Sequence, residues 1–158
     1  MKWMVLVSGG NHSGEINIET GSNHIDELSE DEIQSQTLLE IFRNQRNRRL
    51  VSPAESINSI TVGASHFDNS SFKLQGSLYE LIKDPQLPSP INPVGSGFRR
   101  SVKPEVLMPG GRVLYRLNSQ NKDSITLEPA IYPLVPPGIK VAYPRATEGE
   151  VNSVAYTM

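Results

Sequence analysis

The chain of 158 residues contains no cysteine. Disulfides, thiolate zinc sites and a thiol nucleophile are therefore excluded, and a reducing, cytoplasmic compartment is allowed. Histidines are scarce, and His12, His24 and His66 do not stand at metal-ligand spacing, so no zinc site is expected. No acidic cluster follows a calcium-loop pattern, and no cofactor is implied. Long apolar runs are missing too. None approaches the roughly 20 residues of a membrane span, and Met1 to Ser8 is too short and poorly flanked for a signal peptide. Neither sign of charge dominates, the net charge being −2, so the broad basic footprint of a nucleic-acid-binding protein is absent.

What remains is the composition of an ordinary globular chain: 37% apolar, 20% charged, with twelve prolines and twelve glycines. One domain with a real core is expected, built of short elements joined by fixed turns. Trp3 to Val7 is a continuous apolar run, which predicts a strand covered on both faces, as in a parallel sheet. Asn17 to Glu27 is polar and acidic and reads as a surface loop. Ser29 with Glu32 three residues on forms a capping box, with Leu28 and Ile33 placed for the accompanying hydrophobic staple. The spacing of Ile33, Thr37, Leu38, Ile41 and Phe42 predicts a helix from Glu30 to about Asn47. The arginines at its end, Arg43, Arg46, Arg48 and Arg49, complement the helix dipole and read as a solvated face.

Beyond Pro53, Ile57 to Ser65 is a second β-branched strand signal. Asp68 to Pro93, rich in Ser, Asn and Pro, reads as an insertion loop with a turn at Asp68-Asn69. Further strand signals follow at Val106 to Met108, Arg112 to Leu117, Ser124 to Leu127, Ile139 to Ala142 and Val151 to Thr157. One helix among early strands followed by a run of strands indicates an α/β chain with an antiparallel tail. Three strand ends carry small residues, in "SGGN", "VGAS" and "MPGG". In open α/β sheets the functional crevice lies at the carboxyl ends of the strands.

Taken in order, "VLVSGGNHSG", "SPAESINSITVGASHFDNS" and "SPINPVGSGFRRSVKPEVLMPGG" resemble the second half of a subtilisin-like serine peptidase domain. In that family a buried strand ends in a small-small-Gly-Asn turn whose asparagine donates a hydrogen bond to the tetrahedral oxyanion; Asn11 matches it. Ile60, Val62, Gly63 and Ala64 match the family's I-x-V-G-A strand. Lys103, Pro104, Glu105, Val106, Pro109 and Gly110 match its K-P-[DE]-[VI]-x-x-P-G motif, with Met108 where alanine is usual. The resemblance runs from about Trp3 to Met158, with 17–51 and 68–93 as surface excursions. It implies a partial subtilisin-like three-layer fold with a mainly parallel sheet and antiparallel strands near the C-terminus, and a peptide or protein substrate in the complete enzyme.

The resemblance also implies what this chain does not hold. The family's Asp and His precede the asparagine strand, and its Gly-Thr-Ser nucleophile motif would follow Met158. His12 directly follows the oxyanion position, which in the family is not the base; His24 and His66 read as exposed structural residues. The candidate site is therefore Asn11 as oxyanion donor, with Ser8, Gly9 and Gly10 lining the pocket for the side chain before the scissile bond. Two readings stand: part of a serine endopeptidase inactive by itself, or a non-catalytic scaffold or interaction module. A partial parallel sheet would expose an open edge, so self-association is expected.

Overall fold

A computed structural model describes residues 3–21, 24–68, 76–130, 139–142 and 154–157. Asn69 of the expected turn and Val151 to Ser153 of the expected last strand lie outside them. The strands are β1 (Val5–Ser8), β2 (Ile16–Glu19), β3 (Ser59–Ser65), β4 (Leu78–Tyr79), β5 (Gly95–Ser96), β6 (Val102–Lys103), β7 (Val106–Pro109), β8 (Tyr115–Gln120), β9 (Ser124–Pro129), β10 (Ile139–Ala142) and β11 (Val154–Thr157), and the α-helix is α1 (Glu30–Arg43).

Two sheets matter for the site. A parallel sheet has the order β1-β3-β7, with Val7 opposite Thr61 and Ala64 opposite Met108. An antiparallel sheet has the order β2-β9-β8-β4. Hairpin-like pairs β5-β6 and β10-β11 complete the described strands. Parallel and antiparallel sheets with few helices make the chain loosely α/β. The expected sheet is mainly parallel; among the described residues the larger sheet is antiparallel and carries the core. Its buried cluster is Ile16, Ile18, Ile25, Ile41, Leu81, Ile91, Val113, Tyr115, Ile125 and Leu127. Each such aliphatic side chain contributes about 1.5–3 kcal/mol by leaving water, so stability is concentrated here.

The expected loop at Asn17 to Glu27 begins instead as core strand β2. Ile16 and Ile18 point inward while Asn17 and Glu19 point out, and Ile16 pairs with Leu127. The expected excursion between Asp68 and Pro93 is likewise no surface loop throughout, since Leu81, Ile82 and the whole run from Ser89 to Pro93 are buried. Helix α1 starts as its sequence directs. Ser29 Oγ accepts from the Glu32 N–H, Glu32 Oε2 accepts from the Ser29 N–H at 2.8 Å, and Leu28 and Ile33 pack on the core. The helix ends at Arg43 rather than Asn47. Asn44 leaves helical geometry, and tight turns at Asn47 and Arg48 swing Arg48 inward.

Arg48 therefore departs from the solvated face expected of the arginine run. It is 2% exposed, and both its terminal nitrogens donate to the Pro90 carbonyl. Strand β1 departs in the opposite sense. It pairs with β3 on one side, and among the described residues nothing covers it: Trp3 is 79% exposed, and Met4, Val5 and Leu6 are also in solvent. On β3 the buried positions are Ser59, Thr61, Gly63 and Ser65, whereas Ile60, Val62 and Ala64 are half-exposed. The apolar face of the parallel sheet is thus the open one.

Candidate functional site at the strand ends

The carboxyl ends of β1, β3 and β7 lie side by side, and a cleft of ≈ 320 Å³ opens there. Ser8, Gly10 and Asn11 form one wall, Val62, Gly63 and Ala64 the floor, and Met108, Pro109 and Gly110 the other wall, joined by Leu6, Val7 and Asn92. The three small-residue segments picked out in the sequence thus meet in one place. Among the described residues that line it, none carries a charge.

The first wall is a tight turn. Gly9 is buried and donates its N–H to Val62 O at 2.8 Å, so it holds the turn against β3 rather than lining the cleft as expected. Ser8 Oγ accepts from the Gly10 N–H at 3.2 Å. Gly10 has φ +87°, a left-handed conformation that a side chain would strain. That twist presents Asn11 at the mouth, exposed, and the His12 N–H then donates to Ile91 O at 2.6 Å.

The floor and far wall are fixed by sterics and one ion pair. A Cβ on Gly63 would lie 2.8 Å from Pro104 Cγ and 3.0 Å from Leu107 Cδ2, and one on Gly110 would lie 2.2 Å from Ala64 Cβ. Only glycine permits these approaches. Buried Lys103 donates from Nζ to Ser59 O at 2.7 Å and pairs with Glu105 Oε1 at 2.6 Å. Glu105 Oε2 accepts from the Thr61 N–H at 2.8 Å. Those two bonds hold the Glu105 carboxyl below its usual pKa. The Lys-Pro-Glu part of the motif therefore splices β7 onto β3, and Pro109-Gly110 ends the strand at the cleft.

The histidines do not assemble a base at this site. The His12 ring lies over Gly14, whose Cβ would be 2.4 Å from Nε2; burial and the Arg48 charge lower its pKa. His24 is exposed and meets Gln120 Nε2 at 3.1 Å. His66 was expected at the surface but is sealed, its side chain 0% exposed and its Nε2 3.3 Å from Glu80 Oε1. Backbone pairing continues beyond β3 at this point, the His66 N–H donating to Leu87 O, and Glu80 meets the ring from the same stretch of chain. Among the described residues no group of His, Asp and Glu could hold a metal ion, and no helix is long and apolar enough to cross a membrane.

Sequence reasoning missed Asn92. It is 2% exposed, accepts from the Ala64 N–H at 2.9 Å and donates to Ala64 O at 2.5 Å. Its one sequence signal is an amide set among prolines, in "PSPINP", inside a stretch that reads as loop. No family model, no curated protein and no solved structure matches this chain.

Proposed function

We propose that this chain is the substrate-facing part of a subtilisin-like serine endopeptidase domain, with Asn11 as the oxyanion donor. The observation that carries the reading is the convergence of "SGGN", "VGA" and "MPG" at one cleft, at the ends of three parallel strands. Those segments lie up to about a hundred positions apart in sequence and are the same ones that carry the resemblance.

In acyl transfer, negative charge develops on the carbonyl oxygen as the nucleophile adds. A preorganised amide donor in a partly dry site lowers that barrier by roughly 2.7–4 kcal/mol, a magnitude that itself comes from subtilisin. Among the described residues no hydrogen bond occupies the Asn11 carboxamide, so its N–H groups are available for that task. Ser8 and Gly10 border the space for the side chain before the scissile bond. The nucleophile, the base and the acid that orients the base are assigned by this reading to no residue of the cleft.

The test is the coding sequence on either side, read together with labelling by a fluorophosphonate serine probe. The expected result is an upstream Asp and His, a Gly-Thr-Ser after Met158, a labelled serine in the flanked protein and none in this chain. In the flanked protein Asn11→Ala then lowers kcat by about 100- to 1000-fold with little change in KM. Flanks without these residues leave the non-catalytic scaffold as the reading. Labelling of this chain alone would place a nucleophile inside it and overturn the assignment.

A further inference from the structure

We infer that Asn92 is a positioning residue for the cleft: it fixes the β3 end and, with its two neighbours, the turn that presents Asn11. The inference rests on the reading of Asn11 above but adds a residue that the resemblance does not supply.

Three consecutive residues of the buried segment Ser89–Pro93 each touch a different part of the site. Ile91 O accepts from the His12 N–H at 2.6 Å, one residue past Asn11. The Asn92 carboxamide pairs with both backbone groups of Ala64, accepting from its N–H and donating to its carbonyl. Pro93 Cγ lies 3.9 Å from the position a Gly10 Cβ would take, packing against the left-handed residue of the turn.

The segment is itself anchored at its far side, where Arg48 donates to Pro90 O and the Val94 N–H donates to Arg48 O at 2.8 Å. A second bond reaches Ala64 O from the Ser89 N–H at 2.9 Å. The Asn11 turn and the cleft floor are therefore referred to one short strap. An amide is the side chain that can do this at position 92, because it presents a donor and an acceptor in one plane. A donor aimed at a substrate oxygen is useful only if held to a few tenths of an ångström, so the strap sets the precision of the site.

Hydrogen exchange and amide spectra of the 158-residue chain test this, with Asn92→Ala and Asn92→Asp compared with the parent. With Asn92→Ala the Ala64 and His12 amides exchange at least 10-fold faster, while Ile125 and Leu127 in β9 stay within about 2-fold. The Gly10 and Asn11 resonances shift in the same variant. Asn92→Asp can accept from Ala64 when ionised but donates only when protonated, so its spectrum returns toward the parent on acidification through the new carboxyl's titration. A purely structural loss would not follow that titration. Parent-like exchange at Ala64 and His12 in both variants overturns the inference. So does acceleration spread uniformly over β8 and β9. If Asn92→Ala does not fold, the pH-dependent return of Asn92→Asp decides alone, and its absence counts against the inference. These readouts need no catalysis, so their failure is separate from failure of the serine labelling.

Discussion

Arg48 and Pro90, 42 positions apart, are joined by two hydrogen bonds from one guanidinium to one carbonyl, Nη1 at 3.0 Å and Nη2 at 2.5 Å. The pair ties the segment after α1 to the strap beneath the cleft. Arg48→Met retains much of the bulk but leaves the Pro90 carbonyl without these donors, and should cost about 1–3 kcal/mol. Urea unfolding measures it, and a loss below about 0.5 kcal/mol would show the bonds to be dispensable. Arg48→Lys should recover less than half, since an ammonium cannot present a planar fork.

Tyr115 predicts an alkaline limit to stability. Its hydroxyl pKa is pushed up to about 12, first by burial, with the Arg48 charge pulling the other way. The folded value lies above the ordinary 10.0, so this contribution is complete below about pH 10 and is lost as pH rises from there toward 12. Stability measured from pH 8 to 12 should fall in that window, and Tyr115→Phe should flatten the fall. Absorbance titration should show the residue ionising above an ordinary tyrosine.

The close approach of Gly110 to Ala64 makes a steric prediction. In Gly110→Ala the new methyl would meet Ala64 Cβ at 2.2 Å and Cα at 2.9 Å, and overpacking of this kind costs about 1–3 kcal/mol. Adding Ala64→Gly should restore part of the loss, because it removes the nearer atom. Thermal melts of the single and double variants check this. Equal melts for Gly110→Ala and the parent would mean that β7 can slide away without penalty.

The Ser29 cap should show an acid-sensitive effect. Ser29→Ala should cost about 1 kcal/mol near neutrality. The hydrogen bonds from Ser29 hold the Glu32 pKa below 4.5, so their contribution is present above that value and disappears as pH falls through the lower, folded one. The difference between parent and variant should therefore shrink between pH 6 and pH 3. A pH-independent difference would assign the effect to the serine alone.

The exposed strand β1 should make the isolated chain self-associate. Its outer edge carries no charge or proline, and Leu6 stands beside Ile60 on the open apolar face, a combination that invites a second strand. Sedimentation across a tenfold concentration range should show mass rising with concentration. Leu6→Lys should suppress that rise without lowering the melting temperature by more than a few degrees. A concentration-independent monomer would remove self-association through this edge.

The elements that sequence made legible were those whose signal is local. The capping box at Ser29 and Glu32, the β-branched run of β3 and the Pro-Gly stop of β7 each depend on neighbours a few positions away. Strand β2 was hidden because only two isoleucines mark it, between Glu15, Asn17 and Glu19, and its partner Leu127 lies more than a hundred positions on. Arg48 and His66 were misplaced for a related reason. A charged or titratable side chain is read as exposed unless its partner is known, and Pro90 and Glu80 are set beside them only by the folded chain. The turn before Asn11 was legible from its glycines, whereas the turn that the Asn92 N–H closes on Ser89 O contains none. The covered face of β1 was expected from its apolar run, yet such a run reports what a strand prefers, not what is present to cover it.

The strap under the cleft has a chemical polarity of its own. Pro88, Pro90 and Pro93 have no amide hydrogen, so within this short stretch carbonyls outnumber backbone donors, and bonds to it arrive from outside: from the His12 N–H to Ile91 O and from the Arg48 guanidinium to Pro90 O. A loop so depleted of N–H groups leaves few backbone donors to be satisfied in the interior. It also cannot be satisfied by another stretch rich in carbonyls alone. The identity of the neighbours that dock on it is thus restricted by the sense of each hydrogen bond as well as by shape.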